Sequence, residues 1–358
     1  MKVILILWFI TGLLAGGVYY AAEQQFDPRL VPPSEIPSTP AMDPSNPNQS
    51  ALSDQISVPN DGPVYEEGAS GAINRGAANP VEDFSEPDPS ELTMNNADPE
   101  LVENSEHGPI PITMNGRQPW QYYARPDNTN NQTPRVAIVI RDMGLKANQT
   151  EMAIQRLPGA VTFAFSAQAS DLDKWMNDAK QDTHESLMMI PMEPVNYPQE
   201  NPGPRTLVTN FEFQRNISNL HYFLSRTNGY VGVMNDMGGR FTANRNAMKD
   251  LMIDLQRRGL MFLDARTSEF SVAATAARNA GLPRAINDRN IDQRLTAQDI
   301  DRALNELEGI ANTYGAAVGV GRPYPITIGR LNQWIQSLPS KGIKLVPITA
   351  VANRQPIR

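Results

Sequence analysis

The residues able to do chemistry fall in short polar clusters, each placed at the end of an apolar run. Arg141-Asp142 follows VAIVI, Glu193 follows SLMMI, and Asp236 and Arg240 follow YVGVM. Asp264 closes LMFLD, and Arg322 with Tyr324 follows AAVGV. Carboxylates in such positions suit proton transfer or a hard cation, and guanidiniums between them suit a bidentate grip on carboxylate or phosphate. Asp142, Asp236 and Asp264 read equally well as caps of the helices that follow. The chain has no Cys, which excludes disulfides, thiolate nucleophiles and Cys-ligated zinc. Its only histidines are His107, His184 and His221, too few for a His-rich centre. His221, beside Leu220 and Phe223, reads as a packing residue. Ser166 lacks a His-Asp partner pattern, and GVGVGRP lacks the Lys-Ser/Thr of a nucleotide loop.

Seven apolar runs supply the positions: 136–140, 160–165, 186–190, 230–234, 260–264, 316–320 and 343–348. They alternate with helical patterns over 171–181, 212–226, 242–259 and 296–315. Asp171, Thr242 and Thr296 are the expected N-caps, and Gly259 and Gly315 the expected stops. Continuous apolar strands alternating with helices predict an α/β fold with a parallel sheet or barrel. In such folds the chemistry gathers at the carboxyl ends of the strands, where these clusters lie.

The rest of the chain is of another kind. Residues 3–22 are apolar apart from Thr11, long enough for a bilayer core of about 30 Å. Lys2 before the run and Glu23 after it predict an uncleaved single-pass anchor in the inner (cytoplasmic) membrane, the bulk of the chain lying outside. Residues 23–134 hold 18 of the 30 Pro, with 18 acidic and 4 basic residues. That composition predicts a disordered acidic tether, with PWQYYARP (119–126) as an aromatic patch able to pack on the next domain. The expected division is 1–22 anchor, 23–134 tether and 135–358 folded domain. The last part carries 26 basic and 21 acidic residues without a basic run, which argues against nucleic acid as a partner.

The order VAIVIRDMG, LPGAVTFAFS, HESLMMIPMEP, NPGPRTL, GVMNDMGGRFT, GLMFLDARTS, VGVGRPYPITI and LVPIT resembles the divergent polysaccharide deacetylase family. The resemblance implies a distorted seven-stranded (β/α) barrel related to metal-dependent carbohydrate deacetylases, over about 135–352. It also implies departures at the site. The family's Asp pair is here Arg141-Asp142. Its His before Pro-Met-Glu has only Met189 or Ile190 as a counterpart. Its His-Met-Gly-Ser has Asp236 and Gly239 in the His and Ser places, and its Gly-His-Pro has Arg322. His184 is retained but lies before its strand, the wrong end for the site. Asp292 in NDRNIDQRL matches a late family acid in altered surroundings.

The electrostatic consequence is independent of the resemblance. At a separation of about 5 Å and a dielectric of about 20, one guanidinium opposes a dication by about 7 kcal/mol. Arg141 and Arg322 would instead pair with Asp142 and Asp236. The expectation is a catalytically degenerate envelope protein that needs no cofactor and binds a cell-envelope glycan or an envelope protein. The expected rim is Arg141, Glu193, Asp236, Arg240, Arg322 and Tyr324, and the ligand is expected to be an anionic glycan or a peptide carboxylate. The alternative is an active glycan N- or O-deacetylase holding a divalent ion on Asp142 and Asp236, with Asp142 and Asp264 as catalytic residues.

Overall fold

The computed structural model describes residues 94–357. The expected anchor (3–22) and most of the expected tether lie outside the described residues. Among the described residues no helix is long and apolar enough to cross a membrane.

The expected apolar runs form parallel strands: β3 (Arg135–Met143), β4 (Thr162–Ser166), β5 (Ser186–Met192), β6 (Gly232–Met237), β7 (Met261–Asp264), β10 (Ala316–Gly321) and the short β11 (Lys344–Leu345). Two further strands, β8 (Arg284–Ile286) and β9 (Arg289–Asn290), join them. The order across the curled sheet is β8-β7-β6-β5-β4-β3-β10-β9, and β11 pairs with β3. The edge strands β8 and β9 belong to one stretch of chain. Asn287 N–H donates to the Asp264 carbonyl on β7 (2.8 Å), and Asp288 N–H donates to the Val318 carbonyl on β10 (2.9 Å). This segment therefore binds both edges of the sheet.

Both faces of the sheet are buried, which explains the unbroken apolar runs. In β3, Val136, Ile138 and Ile140 pack on the helix side, and Ala137 and Val139 face the concave side. The concave side is filled by small or flexible residues such as Ala164, Met189, Val318 and Val320. The helices α2 (Ala147–Arg156), α3 (Leu172–Gln181), α4 (Phe213–Leu224), α5 (Arg245–Arg257), α6 (Ala273–Ala280), α7 (Ala297–Tyr314) and α8 (Pro325–Ser337) follow their strands. Thr296 caps α7 as expected, its hydroxyl accepting from Asp299 N–H (3.1 Å). Asp171 precedes α3 at φ 55° without a capping hydrogen bond. Asn244 rather than Thr242 caps α5, accepting from the Asn246 and Ala247 N–H groups. The Thr242 hydroxyl is turned back to the Gly238 carbonyl (2.8 Å).

Residues 94–134, read from composition as tether, have structure of their own. β1 (Val102–Ser105) and β2 (Gly108–Pro111) form an antiparallel hairpin, and α1 (Pro119–Tyr122) follows it. Leu101 and Tyr123 are buried in the concave core with Ala137 and Val139. The reason is long-range: a curled sheet leaves its lower interior open, and these side chains fill it. Glu185, just before β5, ties the filling in place. It accepts from Arg125 N–H (3.0 Å) and Thr349 N–H (3.1 Å), and also from the Thr349 hydroxyl.

Candidate functional site

The carboxyl ends of the strands form a polar mouth, and a local fault in β3 aims its first two residues. The register with β4 slips between Ile140 and Met143, where β3 has one more residue than its partner. Asp142 sits in the slip at φ 63°, in the left-handed region. Such a bulge re-aims side chains. Without it Arg141 and Asp142 would point to opposite faces. With it they share the mouth, and Met143 returns to the helix side. The Asp142 N–H meets the Met189 sulfur at 3.3 Å, which fixes the turned backbone from β5.

Asp142 is the hub. One oxygen accepts from Arg141 Nε (3.0 Å) and the other from Arg322 Nε (3.0 Å). Arg141 also donates from an Nη to Asp236 (2.9 Å), at the end of β6. Arg322 follows β10. Its backbone N–H donates to Asp292 (2.6 Å), whose carboxylate also accepts from the Thr327 hydroxyl (3.1 Å) and lies 3.8 Å from an Arg322 Nη. Burial pushes the Asp236 carboxyl up from its usual range, opposed by the Arg141 guanidinium and reinforced by the Asp142 charge. Burial likewise pushes Asp292 up, against its hydrogen bonds from Arg322 and Thr327. The mouth opens into a cleft of about 260 Å³. Arg141, Arg322, Asp292, Asn290, Gln293 and Thr267 give its polar lining, and Met234, Ala265 and Val320 an apolar floor.

The remaining expected residues lie elsewhere. Asp264 is turned into the loop after β7, where its oxygens accept from Arg266 N–H (2.8 Å) and the Ser271 hydroxyl (2.7 Å). Burial pushes its carboxyl up, but it does not line the cleft. Glu193 and Arg240 form a separate rim pair at 3.3 Å. Glu193 also accepts from Thr209 N–H (2.7 Å) and hydroxyl (2.6 Å), and Arg240 donates to the Val195 carbonyl (2.6 Å). Tyr324 is the half-buried N-cap of α8, its N–H on the Arg322 carbonyl (2.8 Å), and is not a lining residue of the cleft. His184 is buried below β5 against the Phe163 ring, its Nδ1 at 2.7 Å from the Val161 carbonyl. His221 is not a simple packing residue: it meets Asp254 (3.1 Å) and Arg258 (2.9 Å). Asn290, Gln293 and Thr267 carried no sequence signal beyond the position of the first two in the NDRNIDQRL stretch.

These donors do not fit a catalytic zinc. Such a site needs about three neutral or anionic protein ligands and an open position. Both Asp142 oxygens hold guanidiniums, and Asp236 holds one of the same pair. Among the described residues no group of three or more Asp, Glu or His is placed to hold a metal ion.

Comparison with known proteins places this architecture. The family model for divergent polysaccharide deacetylase matches residues 138–352. The uncharacterized protein YibQ of Escherichia coli (strain K12) is 28% identical over 220 residues, which cover 61% of this chain and 67% of that protein. An uncharacterized Haemophilus influenzae protein is 29% identical over 212 residues, 59% of this chain and 74% of its own. The crystal structure of an uncharacterized Agrobacterium tumefaciens C58 protein matches with a TM-score of 0.65 at 36% identity, covering 68% of this chain and 98% of that one. From the motifs at the strand ends to the span of the match, the chain belongs to the divergent polysaccharide deacetylase family.

Proposed function

We propose that the domain is a closed, distorted barrel whose mouth binds a cell-envelope glycan and no longer carries out metal-assisted deacetylation. The observation that supports this reading most directly is the sharing of Asp142 between Arg141 and Arg322, at 3.0 Å each. It commits the acids of the mouth to fixed cations. A polar lining over an apolar floor suits a sugar ring, which offers hydroxyls at its edge and C–H groups on its faces. The pairing refines the expected ligand. Arg141 and Arg322 are both held by Asp142, and Arg141 also by Asp236, so neither guanidinium is free for a carboxylate and the unit in the mouth is an uncharged sugar rather than an anionic one. In this reading residues 3–22 hold the chain at the cytoplasmic membrane, with the domain on the extracytoplasmic side; the charge asymmetry of Lys2 and Glu23 supports it.

The test uses the full-length protein with chitotetraose. Titration calorimetry is expected to show saturable binding, weakened about tenfold in Arg322→Ala by loss of a charge-assisted contact. No acetate is expected to be released, with or without added zinc. Acetate release that stops on addition of a chelator would replace this reading with the active enzyme.

A further inference from the structure

The mouth cleft has a second cleft beside it. Asn290 and Gln293 line both, and the outer cleft of about 560 Å³ lies between the 289–294 segment and α7. Its charged lining is Arg289, Arg294, Arg302, Asp299 and Glu306. Arg289 pairs with Glu306, and Arg302 pairs with Asp299 at 2.7 Å. Arg294 makes no hydrogen bond or ion pair among the described residues; it acts on Asp299 only at longer range. The Gln293 amide has no partner among the described residues either. The Asn290 side chain uses its oxygen on Asn287 (2.9 Å) and leaves its Nδ2 free.

The two clefts thus differ in spare hydrogen-bonding capacity. In the mouth cleft Arg141 and Arg322 are lining residues with Asp292, and both guanidiniums are already paired. In the outer cleft three guanidiniums face two carboxylates, and one of the three is unpaired. A ligand long enough to span the shared amides meets a self-satisfied pocket at one end and an open cation at the other.

We propose that the outer cleft is a second subsite, and that the ligand is an acidic oligosaccharide. An uncharged ring occupies the mouth, and a carboxylate on a neighbouring sugar meets Arg294. Gln293 and Asn290 supply hydrogen bonds to the chain between them. This rests on the glycan-binding reading of the mouth and names the class of glycan.

The experiment compares two tetrasaccharides on the full-length protein by titration calorimetry. One is chitotetraose, which is uncharged. The other alternates N-acetylglucosamine with N-acetylmuramic acid and so carries carboxylates on alternate sugars. The charged oligomer is expected to bind about tenfold more tightly, the scale of one charge-assisted contact. Arg294→Gln is expected to bring the two affinities together, and Arg294→Lys to restore part of the gap. Equal affinities in the unaltered protein, or a gap that survives Arg294→Gln, would overturn the second subsite while leaving the mouth reading in place. Binding of neither oligomer would overturn both.

Discussion

Asp142 does two things at once: it carries the charge that holds Arg141 and Arg322, and it occupies a left-handed backbone position. Asn tolerates that conformation better than other residues with a Cβ, because its short polar side chain bonds locally. Asp142→Asn and Asp142→Ala both remove the charge, so the difference between them isolates the backbone and one neutral hydrogen bond. Asp142→Ala is expected to be the less stable by about 1 kcal/mol in urea unfolding. Equal stabilities would mean that the slip in β3 does not need a residue suited to positive φ. The chain shows Arg141-Asp142 plainly as a polar pair after an apolar run. It does not show that both point to the mouth, because that depends on a one-residue slip against β4.

The hairpin and its contacts decide how the lower end is closed. Arg258 donates to Asp254 (2.8 Å), Glu103 (2.9 Å) and the Pro111 carbonyl (3.2 Å), so one buried side chain joins α5 to both hairpin strands. Arg258→Ala strands the buried Asp254 carboxylate with only His221 beside it, and is expected to cost about 3 kcal/mol in denaturant unfolding. A loss near zero would detach the hairpin from the stability of the domain. Below β5 two adjacent buried groups make opposite demands. Burial lifts the Glu185 carboxyl to about 7 from 4.5, against hydrogen bonds from Thr349 and Arg125. Burial drops the His184 imidazole to about 4 from 6.5. The Glu185 contribution to stability is full below pH 4.5 and is lost as pH rises towards 7. The His184 contribution is full above pH 6.5 and is lost as pH falls towards 4. Between 4.5 and 6.5 the two partly cancel. Glu185→Gln is expected to expose the His184 term, so the urea midpoint of that variant falls more steeply than that of the unaltered protein as pH is lowered through this window. A pH dependence unchanged by the substitution would contradict the assignment. Of this closure only the PWQYYARP patch was legible, as an aromatic stretch able to pack on the next domain, and it supplies the buried Tyr123; the rest of 94–134 is polar and Pro-rich. Its order comes from Leu101, Tyr123 and Arg258 meeting residues far along the chain.

At the scale of the molecule, the parallel α/β plan was legible because a sheet buried on both faces is written as unbroken apolar runs such as VAIVI. β8 and β9 were not. They have three and two residues, and the link between them is the polar pair Asn287-Asp288, whose backbone serves both sheet edges. The same segment delivers Asn290, Asp292 and Gln293 to the cleft, so missing the strands meant missing much of its lining. Arg141, Asp142, Asp236 and Arg322 were found because each lies within two residues of the end of an apolar run. Asp264 was assigned to the same mouth by that rule, yet the turn at Arg266, with φ 53°, leads the loop back over its carboxylate. The mouth behaves as one unit: its acids are held by guanidiniums and are not free for a dication. Zinc titration of the full-length protein, followed by calorimetry, tests this most directly. No saturable binding that depends on Asp142 or Asp236 is expected. One equivalent bound by the unaltered protein, and lost in Asp142→Asn and in Asp236→Asn, would contradict it.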